Sequence, residues 1–224
     1  MVSDKKSRTV LCLGPPHSGK SVFAYLLFKS LRSLNNKACV MDADYYSPTY
    51  TRLRVTEFAA PEEIDHIIQT PNPNKLEELD EKVYHGLCTN IHAMIEHKGI
   101  IVIDGVGKHS KSTESLLGLA QILIVLCPIE FDIEKEAKQF GFINNGVPAH
   151  PFDYYHDAKE KCLKILTHYK NKKVASFDQD KLQGELFDLD RESIKKGNVE
   201  SIPAETRAVT LEIAKVVMKL VYAS

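Results

Sequence analysis

The sequence predicts a three-layer α/β/α fold around a mainly parallel sheet of five or more strands. Two observations lead there. Short, nearly continuous apolar runs alternate with helix-patterned stretches, as expected of strands covered on both faces. The first run, Thr9-Val10-Leu11-Cys12-Leu13, passes through a glycine-flanked loop into a helical pattern beginning at Lys20. At 224 residues the chain suffices for one domain with a substantial core.

Taken in order, the strand candidates are 9–14, 37–42, 99–104, 122–127 and 173–177. Between the first two, residues 20–34 place Phe23, Leu26, Leu27, Leu31 and Leu34 on one side of a helix. Pro61, Pro71 and Pro73 punctuate the acidic stretch 55–80, which reads as a surface insertion with a short helix near 61–69. Val83, Leu87, Ile91, Met94 and Ile95 give 81–97 helical spacing. Pro148 and Pro151 mark a loop before a helix over 153–169, with Asp153 as its candidate cap. Residues 178–200 suit either a helix through Leu182, Leu186 and Leu189 or an added edge strand at 185–189. Pro203 opens a final helix over 203–221 in a favourable first-turn position. With no internal repeat or linker, 1–224 reads as a single domain.

Composition narrows the function classes. A net charge of −1 supplies no global basic field, so nucleic-acid binding is not indicated. The first eight residues are polar, and no apolar run approaches the roughly 18 residues that span a bilayer. Five scattered cysteines without a C-x-x-C pair point to a reduced, cytoplasmic protein lacking structural disulfides.

Residues 14–21, Gly-Pro-Pro-His-Ser-Gly-Lys-Ser, match G-x-x-x-x-G-K-[ST]. In a strand–loop–helix context this pattern wraps phosphate oxygens with main-chain N–H groups, aided by the positive end of the helix dipole. Lys20 would reach the β- and γ-phosphates, and the Ser21 hydroxyl would ligate Mg²⁺. Pro15 and Pro16 lack an N–H and stiffen the entry, so donation is expected from His17 through Ser21. The nucleotide-binding set is Gly14, Pro15, Pro16, His17, Ser18, Gly19, Lys20, Ser21 and Val22, with Gly107 added by the next motif.

That motif is Ile100-Ile101-Val102-Ile103-Asp104-Gly105-Val106-Gly107, an apolar strand ending in a carboxylate. Asp104 is the second candidate magnesium ligand, and the Gly107 N–H suits close approach to a γ-phosphate. Asp42 and Asp44 end the second strand two residues apart, so in extended chain they point the same way. They are candidates to accept an acceptor's hydroxyl proton, although strand-end aspartates also serve as plain turns. Arg52 and Arg54 could grip an anion or be solvated. From Cys127 to Lys173 there is no arginine for a lid over the phosphates, which leaves Lys108 as the best-placed cation. His85, Cys88 and His92 share a predicted helix but read as its polar boundary rather than a zinc site. Tyr154 and Tyr155 suit either base stacking or packing. No N-K-x-D motif selects guanine, so ATP is the expected nucleotide.

These motifs resemble the P-loop NTPase superfamily over residues 9–177. Gly105 stands where motor-type ATPases carry glutamate, and the chain is more similar to small-molecule P-loop kinases and dethiobiotin-synthetase-like ATPases. That resemblance implies the 99–104 strand lying beside the first, with ATP and Mg²⁺ as cofactors. Gly14–Ser21 together with 202–207, Ile-Pro-Ala-Glu-Thr-Arg, also resembles ATPase portions of CRISPR-associated ring-nuclease fusions. Two functions follow. One is γ-phosphoryl transfer to a small-molecule acceptor, with Lys20, Asp44, Asp42 and Lys108 as the catalytic set. The other is an ATP-hydrolysing switch or assembly module acting on a protein or nucleic-acid system, with loops 43–56 and 105–115 reorganising. The expected partners are a nucleoside triphosphate and an unidentified small acceptor or protein; a homodimer is compatible, a membrane is not expected.

Overall fold

The computed structural model describes residues 8–34, 37–43, 67–69, 99–109, 111–168, 175–187, 189 and 199–223. The main sheet is built from β1 (Thr9–Leu13), β2 (Ala38–Asp42), β3 (Ile67–Gln69), β4 (Ile100–Asp104), β5 (Ile122–Pro128), β8 (Cys162–His168), β9 (Ser176–Asp178) and β10 (Gln183–Phe187). A separate two-stranded hairpin joins β6 (Ile143–Asn144) to β7 (Val147–Pro148). The longer helices are α1 (Lys20–Ser33), α2 (Lys111–Leu119) and α5 (Ala204–Tyr222), and two short ones are α3 (Lys138–Phe140) and α4 (Pro151–Tyr154). A π-helical turn at Ile133–Ala137 runs into α3.

Spatial order in the sheet is β3-β2-β4-β1-β5-β8-β10-β9, parallel throughout except for β9, which runs antiparallel on β10. β4 lies beside β1, as the resemblance implied, with Thr9 opposite Ile101 and Cys12 opposite Asp104. The chain leaves β1 toward β2 on one side and, after β4, crosses to β5 on the other. Such a reversal lies at the carboxyl ends of β1 and its neighbours, the place where open α/β sheets bind ligands.

β1 and β4 are buried along their whole length, β5 all but its last residue, which explains their continuous apolar runs. Alternate residues still serve different cores. Val10, Cys12, Ile122, Ile124 and Leu126 face α1 and α5, meeting Phe23, Leu27 and Ile213. Leu11, Leu13, Leu123, Val125 and Cys127 face α2 and the 129–158 segment, meeting Leu116, Phe131, Phe142 and Tyr155. Each fully buried aliphatic side chain contributes about 1.5–3 kcal/mol. The end of α5 is fastened by side chains from the opposite rim of the sheet: Lys161 Nζ donates to the Leu220 carbonyl at 2.9 Å and Gln121 Nε2 to the Val221 carbonyl at 3.2 Å. Both satisfy carbonyls that a helix C-terminus leaves unpaired. Among the described residues, no helix is long and apolar enough to cross a membrane.

Three expectations are corrected. Residues 153–168 are not one helix: α4 ends at Tyr154, turns follow, and Cys162–His168 is a parallel strand beside β5. Leu163, Ile165 and Thr167 alternate inward there, a period-2 pattern whose outward partners Lys164 and Leu166 are only half-buried. The stretch anticipated as the fifth parallel strand, 173–177, contributes only the start of antiparallel β9. Ile67–Gln69 pairs with β2 as a strand rather than closing a helix. The rest of the 55–80 segment and the 81–97 helix lie outside the described residues. In the ambiguous 178–200 stretch, Gln183–Phe187 is a strand, but an interior one next to β8.

Candidate functional site

The 14–21 loop leaves β1 at Gly14, where φ is +152°. A Cβ there would lie 2.1 Å from the Leu126 carbonyl oxygen and 2.9 Å from Ser18 Oγ, so only glycine fits. Ser18 N–H then donates to the Pro15 carbonyl at 3.2 Å, and His17 adopts φ +64°. Proline at the second position, positive φ at the third and a bond across four residues define a type II turn. That turn corrects one expectation: the Ser18 amide is engaged inside the loop, so donation does not run unbroken from His17 to Ser21. The Ser18 hydroxyl is fully buried and makes no hydrogen bond. Positive φ at the third turn position normally selects glycine or asparagine, so nothing in the sequence announced it at a histidine.

α1 begins at Lys20 with Gly19 as its N-cap at φ +76°, no side-chain cap and no acidic residue in its first turn. The amides of that turn have no intrahelical acceptors, and the positive end of the helix dipole sits with them. Lys20 is 6% exposed, Ser21 is half-buried, and Val22 turns its side chain into the core. His17 is exposed at the loop's apex.

Three strand ends are sewn level around this loop. Gly105 N–H donates to the Cys12 carbonyl and Ala43 N–H to the Asp104 carbonyl, both at 2.9 Å. Asp104 is 0% exposed. Burial, and after it the Asp104 charge, push the Cys12 thiol well above its usual range, while Lys20 pulls the other way. Asp104 is the direct partner of Cys12 across β1 and β4, and Lys20 opens the helix that follows β1 and its loop. The Asp42 and Asp104 Cα atoms are direct partners across β2 and β4. Beyond Asp104 the chain folds back on the loop: a Cβ on Gly107 would meet Pro16 at 3.1–3.2 Å. Lys108 is exposed.

An oxygen-rich pair, the buried Asp104 carboxylate and the Ser21 hydroxyl, suits a hard cation such as Mg²⁺. The amide-lined, lysine-bearing cradle suits phosphate oxygens. The residues present fit both groups.

Next to this site, residues 129–158 form a cap on β5 that the sequence did not reveal. Its interior is a set of edge-to-face rings: Phe131 with Phe142, and Phe142 with Tyr154 and Tyr155. Tyr155 is 2% exposed, so its role is packing rather than base stacking. Its hydroxyl is pushed far above the usual range by burial. His150, not Asp153, caps α4, its Nδ1 accepting from Phe152 N–H at 3.2 Å. Its Nε2 lies 3.3 Å from Cys127 Sγ, a thiol whose pKa burial raises far above the usual range. Asp44, Arg52, Arg54, His85, Cys88 and His92 lie outside the described residues.

No family model and no curated protein matches this chain. Solved structures do. The septum site-determining protein MinD of Pyrococcus horikoshii, complexed with Mg-ADP, is similar with a TM-score of 0.59 at 16% identity, covering 95% of this chain and 96% of its own. A plasmid partition protein of Borrelia burgdorferi bound to AMPPNP gives 0.54 at 14%, covering 96% and 98%. Cobyrinic acid a,c-diamide synthase of Mycobacterium smegmatis gives 0.54 at 12%, covering 94% of each chain. Strand order, loop placement and these likenesses agree: the chain has the fold of the P-loop NTPase superfamily.

Proposed function

We propose that this chain binds ATP with Mg²⁺ in the 14–21 loop and catalyses transfer of the γ-phosphoryl group. The observation that carries the reading is the pairing of a buried Lys20, at the start of a helix whose N-terminus no side chain caps, with a buried Asp104 in register with Cys12 at the end of β1. First-turn amides and Lys20 would hold the phosphates, and Ser21 and Asp104 would hold the metal, which neutralises charge on the phosphate oxygens. In the transfer, the bond from the γ-phosphorus to the bridging oxygen breaks as an attacking oxygen bonds from the opposite side. ADP leaves, and the attacking group's proton goes to a carboxylate. Catalysis is then positioning and electrostatics.

The attacking oxygen of a small-molecule acceptor is our first reading. Asp42 lies in register with Asp104, with Asp44 two residues on, which supports a proton acceptor beside the metal site. Lys108 would supply charge at the γ-phosphate. Water is the second reading, making the protein an ATP-hydrolysing switch on a partner. MinD and partition-protein likenesses favour it, as does the tie between the 105–109 loop and the 129–158 cap. We place either activity in the cytoplasm, on one domain spanning 1–224, with a homodimer open.

ADP release from Mg·ATP, measured alone and then with a panel of small hydroxyl and carboxyl compounds, separates them. Turnover that requires an acceptor supports the first reading. Slow turnover indifferent to every small molecule but changed by a protein or nucleic acid supports the second.

A further inference from the structure

His109 stands two residues beyond Gly107 and is held from several sides. Its N–H donates to the Phe140 carbonyl at 3.0 Å. Its Nε2 meets Glu114 Oε1, on the first turn of α2, at 3.1 Å. Its ring stands edge-on to Tyr154, with centroids 5.1 Å apart. Gly141 lies beside it, since a Cβ there would reach ordinary contact with His109 Cβ at 3.4 Å. The His109 Nδ1 is buried and makes no hydrogen bond. Tyr154 belongs to the ring cluster of Phe142 and Tyr155. One residue thus bolts the Gly107–Lys108 turn, itself against Pro16 of the phosphate loop, to the 129–158 cap and to α2.

We propose that His109 is a positioning residue: it holds the Gly107 amide and the Lys108 side chain where the terminal phosphate of a bound triphosphate needs them. The assignment rests on the nucleotide reading above. Donors aimed in advance at developing charge accelerate transfer because nothing must reorganise at the moment of reaction. A misplacement of about 1 Å removes up to roughly a hundredfold in rate. Diphosphate binding, made by the 14–21 loop, does not depend on this turn. Loss of His109 therefore lowers kcat and the preference for triphosphate over diphosphate, and leaves ADP affinity alone.

The test uses the full chain and three variants. His109→Ala removes both side-chain contacts, His109→Gln keeps an N–H for Glu114, and His109→Phe keeps the ring against Tyr154. ADP and AMPPNP affinities and kcat are measured for each, below its melting temperature. We expect His109→Ala to lose about tenfold or more in kcat and to bind AMPPNP more weakly, with ADP affinity within about twofold of wild type, and at least one conservative variant to recover most of both losses. A purely structural histidine would lower the melting temperature and leave kcat and the triphosphate preference unchanged, which overturns the assignment. Should the alanine variant not fold, wild-type kcat in both His109→Gln and His109→Phe overturns it equally. Wild-type protein that binds no nucleotide refutes the nucleotide reading itself, and this assignment with it.

Discussion

Replacing Gly14 with alanine adds one methyl where β1 gives way to the loop, and the backbone fixes its position. It would lie 2.1 Å from the Leu126 carbonyl oxygen, more than 1 Å inside the roughly 3.3 Å at which carbon meets carbonyl oxygen. No rotamer relieves this, because the obstacle is the main chain of β5, paired with β1 on one side and β8 on the other. The residue would also keep a φ of +152°. Overpacking of this kind costs about 1–3 kcal/mol, and backbone strain adds about 1–3. The expected loss, about 2–6 kcal/mol, is a large part of a typical stability of about 5–15. The same substitution at Gly118, in α2 with nothing within 4 Å of the new Cβ, supplies the control. There alanine should gain about 0.5–1 kcal/mol by propensity. Urea unfolding at matched m-values reads both, and nucleotide titration below the transition reads the loop. Gly14→Ala with wild-type stability and wild-type nucleotide affinity would refute the tight junction between loop and sheet.

His17→Gly should stabilise the protein by at most about 1 kcal/mol: the left-handed backbone at φ +64° loses a Cβ penalty of about 1–2, offset by about 0.5–1 from the freer unfolded glycine; lowered urea stability would contradict the turn. Acidification should weaken the fold through His150. Burial holds its pKa below the ordinary 6.5, so the unfolded chain takes up the proton first. Stability from this group is complete above pH 6.5 and is lost as pH falls through that value and on through the lower native one. The slope is at most about 1.4 kcal/mol per pH unit. Melting temperatures of wild type and His150→Asn, which keeps a helix-capping side chain, should converge below pH 6 relative to pH 7.5; parallel curves would contradict the assignment.

The P-loop and its sheet were legible because their determinants are local. A glycine-flanked loop between an apolar run and a helix needs only consecutive residues, and strands buried on both faces leave unbroken apolar runs at 9–13, 100–104 and 122–128. β8 was misread because its second face is only half covered. Lys164 and Leu166 are only half-buried, and Lys-containing apolar clusters fit helical spacing as well. Three residues of β3 are too few to show a period. The site's surroundings were illegible for another reason. The cap meets the 105–109 loop through Phe140, Gly141 and Tyr154, more than thirty residues downstream of His109, and no spacing rule pairs them.

Equilibrium binding of Mg·ATP to the wild-type chain and to Lys20→Ala, with fold checked for both, tests the central claim most directly. Wild type should bind, and removal of the buried ammonium should weaken ATP by at least about tenfold, the weight of a hydrogen bond to a charged group. Equal affinity in the two proteins, or none in either, would contradict it.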